Sequence, residues 1–198
     1  MPTGVAMRDV REQLFDAAER VLLRDGPNAL TSRAVTTEAG CAKGVLHRHF
    51  ADVDAFLEEL VTDRIGRVGE RGAALRAAAG TGTVPDRVAD ALTELFGSVA
   101  LAILGLVTAR DTLRARLRAT TPTGLPVLTE AGVELAAYLT AERDLGRLTP
   151  DADVDTLALT LIGTGHLLFA GHEGTRPPAE ELHRVVDAVL AGVVTGEG

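Results

Sequence analysis

The chain has 198 residues, 46% of them hydrophobic and 24% charged, with a formal net charge of −8 at pH 7. That composition excludes a disordered polyelectrolyte and supplies material for a core, which must be mostly Leu, Val and Ala because aromatics are only 3%. A single cysteine, Cys41, excludes an internal disulfide and fits a reducing compartment.

The longest apolar run, VALAILGLV from Val99, is well short of the roughly 20 residues a membrane span needs. The opening residues lack the basic-then-apolar profile of a leader. The expectation is a cytoplasmic protein with no membrane partner.

Taken in order, the first helix is expected at RDVREQLFDAAERVLLRDG. Asp9 would cap it with Glu12 three residues on, and Val10, Leu14, Ala17, Val21 and Leu22 give the apolar period. Gly26-Pro27-Asn28 stops it. A short helix follows, with Thr31 as its N-cap and Gly40 at its end. CAKGVLHRHF predicts a second short helix, after which Ala51-Asp52 breaks the chain and caps the next. That helix runs from about Val53, with Phe56, Leu57, Leu60, Val61, Ile65 and Val68 on one side, and fades in the linker AAAGTGTVP. Helices are expected near 85–108, 111–119 and 125–146, with few buried charges among them. A further helix starts at about Asp153 and the last spans 179–194. No alternation calls for a strand and no repeat period is present, so the fold class is all-α.

Two short helices joined by a glycine turn form a helix-turn-helix pattern at about 31–50. Gly40 supplies the left-handed turn, while Val35, Ala39, Cys41 and Leu46 pack the pair together. On the outer face remain Ala42, Lys43, Val45, His47, Arg48 and His49. Lys43, the only lysine, could reach a guanine edge or a phosphate, and Val45 a thymine methyl. The imidazoles of His47 and His49, with Thr31, Ser32 and Arg33 at the preceding helix start, could contact phosphate oxygens. Residues 1–50 carry seven Arg and Lys against six Asp and Glu, while the remainder is strongly acidic. Only the head is suited to meet a polyanion, although helix propensity alone would also scatter Arg and Glu this way.

The segments LFDAAERVLLRDG, LTSRAVTTEAG, KGVLHRHF and DVDAFLEELV, in that order and spacing, resemble the tetracycline-repressor (TetR) family of bacterial transcriptional regulators. The resemblance is carried by about 50 residues between Arg8 and Val61. It implies a three-helix DNA-binding domain over 1–52 and a helical ligand-binding and dimerisation domain over 53–198. It also implies a homodimer on a palindromic double-stranded operator, a small-molecule effector, and no enzymatic activity. The chain departs from the family pattern at Thr36, Ala42, Val45, His47 and Val53, where the family usually has Ala, Ser, Thr, Tyr and Lys. Several of the absent groups contact phosphates and bases.

The helix from Asp153 is apolar almost all round and should be covered on both sides, and the last helix carries an unbroken apolar stripe. Leu161, Gly165, Leu168, Leu182, Val186, Val189 and Val193 are the candidate dimer interface, a four-helix bundle across a two-fold axis. If they serve only an internal core, the protein is a monomer. Phe96, Ile103, Leu104, Val107, Thr108, Tyr138, His166 and Phe169 could line a pocket for a lipophilic ligand with one or two polar groups, or simply pack. No tight ligand spacing supports a metal at His166, His172, Glu173 and His183, and no phosphate loop or nucleophile elbow is present, so no cofactor, metal or catalytic residue is assigned. The rival to a ligand-released repressor is an all-α small-molecule binding protein or enzyme that has lost DNA affinity.

Overall fold

The computed structural model describes residues 4–97, 99–119, 124–172 and 176–195, with side chains from Val10 onward. Among them α-helices follow one another in the order α1 (Gly4–Asp25), α2 (Ser32–Glu38), α3 (Val45–His49), α4 (Val53–Ala77) and α5 (Val84–Phe96), then α6 (Val99–Ala109), α7 (Asp111–Leu117), α8 (Pro126–Asp144), α9 (Val154–Ala170) and α10 (Ala179–Leu190). The all-α class is as expected, and the described residues hold no strand beyond one isolated antiparallel bridge, Leu148 to Val194. The chain divides into two compact units, residues 1–64 with 102–125, and residues 65–101 with 126–198.

In the first unit, α1 starts at Gly4, so Asp9 lies inside the helix and does not cap it. Ala6, Met7 and Arg8 are good helix formers, and nothing among them stops the helix from extending backward. Thr31 caps α2 as expected, its hydroxyl accepting from the Ala34 N–H at 3.1 Å. Gly40, at φ +66°, then lets the Cys41 N–H reach back to the Thr36 carbonyl at 3.0 Å and its own N–H to Thr37 at 3.1 Å. Residues 41–44 are a turn, not the first turn of α3. Gly44 is a poor helix former with no side chain to cap, and the Val45 N–H closes on the Ala42 carbonyl at 2.9 Å. Asp52 accepts from the Ala55 N–H at 2.6 Å and so caps α4.

This unit's buried residues come from each of these helices: Leu14, Phe15, Val21 and Leu22 on α1, Val35 on α2, Leu46 on α3, and Phe56, Leu57 and Leu60 on α4. The rings of Phe15, Phe50 and Phe56 meet with centroids 4.9 to 5.9 Å apart.

The single helix expected over 85–108 is two. Gly97 (φ −69°, ψ 67°) leaves helical geometry, and a Cβ there would lie 2.7 Å from the Thr93 carbonyl oxygen. In the second unit, α5, α8, α9 and α10 enclose one core that includes Leu92, Phe96, Leu135, Tyr138, Leu161, Ile162, Phe169, Leu182 and Val186. Asp153 caps α9 through the Thr156 N–H at 3.1 Å; the Thr156 hydroxyl and this N–H hold its carboxyl below the usual carboxylate range. The last helix ends at Leu190, before the expected Val194, because the chain turns at Ala191-Gly192 to pair with 147–149. There the Thr149 N–H donates to the Val193 carbonyl at 2.8 Å. A buried charge was not foreseen here: Glu142 is fully covered, accepts from the Gly80 N–H at 3.2–3.3 Å and faces Arg147 at 3.2 Å. The polar break expected at TTPTGLP, and Glu173 in the break before α10, fall at least partly outside the described residues.

Gly165 marks a tight approach in this core. A Cβ on it would lie 2.9 Å from the Phe96 ring, which is itself buried. Gly165→Ala is therefore expected to lower stability by about 1–3 kcal/mol despite alanine's better helix propensity. Thermal melting followed by circular dichroism checks this, at about 2–4 °C per kcal/mol for a chain of this size.

Candidate functional site

The recognition segment is oriented by what it buries. Leu46 is fully covered and Phe50 nearly so, which leaves Ala42, Lys43, His47 and Arg48 exposed and Val45 and His49 half-buried. The Arg11 guanidinium sits 4.4 Å from the Phe50 ring centroid, donates to the His49 carbonyl at 3.4 Å and pairs with Glu59. One arginine thus ties the end of α3 to both α1 and α4. At the start of α2, Thr31 and Arg33 are exposed, and the Ser32 hydroxyl lies 3.3 Å from His47 Nε2. The structure thus brings the expected nucleic-acid residues of α2, the turn and α3 onto one region. Ala42 and Lys43 stand on the turn before α3, not on the helix.

Electrostatics favour this region for an anion. Among the described residues Arg33, Lys43 and Arg48 form no ion pair. The acid on α2, Glu38, is instead held from α1 by Arg20 at 2.7 Å and Arg24 at 2.9 Å, whose hydrogen bonds keep its carboxyl below the usual range. Thr36, where a small apolar residue would be usual, is buried but leaves no polar group unsatisfied: its hydroxyl donates to the Ser32 carbonyl at 2.8 Å.

Two further arginines were not visible as positioning groups in the sequence. Arg110 donates to the carbonyls of Pro27 (3.1 Å) and Leu30 (2.7 Å), fixing the segment that leads into Thr31. Arg116 reaches Asp52 at 3.2 Å and Glu58 at 3.6 Å at the start of α4. The Asp52 carboxyl is held low first by the Ala55 N–H and then by Arg116. Only arginine excess around 110–118 signalled them.

The candidate dimer residues divide differently from expectation. Leu161, Gly165, Leu182 and Val186 are buried in the chain's own core, and Leu168, Val189 and Val193 are half-buried. Apolar periodicity marks these faces as covered, and the chain's own core supplies cover for Leu161, Leu182 and Val186. The apolar groups left outside on α9 are Leu159 and Leu167, each 74% exposed, with Gly163 on the same ridge between them.

The candidate ligand residues fall in both units. Phe96 packs on Phe169 (5.5 Å between ring centroids) and near His166 (6.1 Å) in the second unit. Ile103, Leu104 and Val107 are buried in the first unit, and the exposed Thr108 donates to the Leu104 carbonyl at 2.8 Å. Tyr138 is buried beside the Glu142 carboxylate without a hydrogen bond of proper geometry; burial, then that carboxylate, pushes its phenol well above the ordinary range. A cleft of about 410 Å³ exists within the second unit but is lined by other residues of α4, α5, α8 and α9, among them Val68, Gly72, Leu75, Leu92, Glu134 and Ile162. Among the described residues no cluster of His, Cys, Asp and Glu could hold a metal ion.

The first unit thus presents a helix-turn-helix with an outward basic flank, and comparison with known proteins finds the same head elsewhere. Residues 14–60 match the family model of tetR-family bacterial regulatory proteins. An uncharacterised HTH-type transcriptional regulator of Haemophilus influenzae is 35% identical over 54 residues, which span 27% of this chain and only 29% of that relative. Among solved structures, the fatty acid degradation regulator FadR of Bacillus halodurans superposes with a TM-score of 0.70 at 18% identity, covering 92% of this chain and 95% of that one. FadR of Bacillus subtilis, in complex with stearoyl-CoA, gives 0.68 at 20% identity over 91% and 98%. The ketosteroid regulator KstR2 of Mycobacterium tuberculosis gives 0.62 at 19% identity over 94% and 96%. The family match thus covers the head of the chain, residues 14–60, and the likeness to these solved structures is one of fold.

If Tyr138 packs without binding anything, Tyr138→Phe removes a buried hydroxyl that lacks a partner, and stability is expected to stay level or rise by up to about 1 kcal/mol. Denaturant titration measures it; a loss of more than about 1 kcal/mol would show that the hydroxyl has a partner.

Proposed function

We propose that the chain is a homodimeric, DNA-binding transcriptional repressor, released from a palindromic operator when a small lipophilic ligand occupies its body. In this reading residues 1–52 are the DNA-binding domain and 53–198 the ligand-binding and dimerisation domain. The observation that carries it is the exposure of Ala42, Lys43, His47 and Arg48 opposite a fully buried Leu46, with Arg33, Lys43 and Arg48 in no ion pair among the described residues. Lys43 and Arg48 supply phosphate attraction; Ala42 and Val45 are small enough to allow close approach to base edges. Thr31, Ser32, Arg33, His47 and His49 fix register on the backbone.

The pairing surface in this proposal is the exposed ridge of α9, Leu159, Gly163 and Leu167, with the half-buried Leu168, Val189 and Val193 at its margin. Two large apolar side chains left in water at i and i+8 favour cover by a second copy, and glycine between them permits close helix approach. Paired heads about 34 Å apart would suit half-sites one helical turn apart. The stearoyl-CoA of the Bacillus subtilis relative supports a lipophilic effector, and the cleft between α4, α5, α8 and α9 is where we place it. Such a ligand releases DNA only through unequal affinity for two states, with about 3 kcal/mol of coupling needed for a substantial effect.

A gel shift with DNA from upstream of the gene tests the reading. Retardation is expected to fall steeply with salt, and Lys43→Ala to weaken binding while reducing the slope of log K against log salt by about one. No retardation even at low salt would favour the binding-protein or enzyme alternative. Sedimentation should show a dimer that Leu159→Lys with Leu167→Lys converts to a folded monomer; a dimer that survives both changes would move the interface elsewhere.

A further inference from the structure

The charge inside the cleft points to the kind of ligand it takes. Its deeper walls are apolar: Leu92, Leu135 and Ile162 are buried and Ala131 nearly so. Arg71, Asp90 and Glu94 stand on the exposed rim, where water screens them. Two other polar groups of the lining are already engaged. Arg87 donates to the Thr81 carbonyl at 3.2 Å and its hydroxyl at 2.9 Å, and the Thr93 hydroxyl donates to the Ala89 carbonyl at 2.8 Å.

Glu134 differs from all of these. Its side chain is 18% exposed and lies across Gly72 of α4, where any Cβ would overlap it. Gly72 is buried, so the absence of a side chain there is what admits the carboxylate between α4 and α8. Among the described residues its one ion pair is with Arg76 at 3.5 Å, the outer limit of a hydrogen bond, and Arg76 is exposed. A carboxylate has about four acceptor sites, so one long contact leaves most of its capacity unfilled. A partly desolvated anion against apolar walls is stabilised by a cation that arrives with its own apolar surface. An anionic head group would face like charge there instead.

We infer that the cleft takes a lipophilic cation, a protonated amine or quaternary ammonium on an apolar skeleton, with Glu134 as its counter-charge. This rests on reading the cleft as the effector site and adds the ligand's charge to it. The stearoyl-CoA held by the Bacillus subtilis relative is an anion, so on this point the two proteins differ in ligand class.

Titration calorimetry on the full-length protein, with decyltrimethylammonium, decanoate and 1-decanol below their micellar concentrations, tests it. One chain length with three head groups isolates charge. Decyltrimethylammonium is expected to bind about tenfold or more tighter than decanoate, and Glu134→Gln to bring the two within about threefold while leaving 1-decanol unchanged. The wild-type series stands by itself if Glu134→Gln does not fold. Equal or tighter binding of decanoate, or a cation preference that survives Glu134→Gln, overturns the charge assignment while leaving the cleft as a lipophilic site. Failure of all three to bind overturns the effector-site reading as well.

Discussion

Everything outward on the recognition segment follows from what Leu46 and Phe50 bury. A five-residue helix has almost no stability of its own, since nucleation consumes most of the hydrogen bonds it can make. It exists here because Leu46 is fully covered and because the Phe50 ring closes against Phe15 and Phe56. Arg11 reinforces the same point by covering the Phe50 face and binding the carbonyl of His49. With one side of so short a helix committed, its other side has a single possible orientation, and that side carries His47 and Arg48. The stability of the first unit and its readiness for a polyanion are one packing arrangement.

Charge is sorted by the same economy of contacts. Acids of the head are paired by arginines from neighbouring elements, Glu38 by Arg20 and Arg24, Asp52 and Glu58 by Arg116. Three basic groups of the outer flank are left without such partners. A net charge of −8 is therefore compatible with a locally attractive surface, because long-range repulsion is screened over about 10 Å at moderate salt while unpaired cations act at contact. In the second unit the logic is reversed. There an acid, Glu134, lies mostly covered in a cleft with apolar walls, and its described ion pair, with Arg76, is 3.5 Å long.

What could be read from the sequence was chemistry that acts locally. Thr31, Asp52 and Asp153 announced helix starts, and Gly40 a left-handed turn, because each needs only its neighbours to do its work. The start of α3 was misplaced because Ala42 and Lys43 are good helix formers and only Gly44 argues otherwise. The break at Gly97 was hidden inside an apolar run, and the early end of α10 depends on pairing with 147–149, far away in sequence. Periodicity on α9 and α10 shows that Leu161, Leu182 and Val186 are covered but not by what, and the chain's own core covers them. The cleft was missed for the same reason. Its lining depends on where α4 crosses α8, and the signal was a glycine at 72 inside a long helix, facing a glutamate 62 residues later in the chain.

The outward flank is the centre of the account, and backbone amide shift mapping by NMR interrogates it most directly. On titration with duplex DNA from the gene's upstream region, the largest shifts should fall at residues 31–33 and 42–49, with the amides of α9 and α10 little changed. Shifts confined to residues outside the first unit, or none at all at low salt, would contradict it.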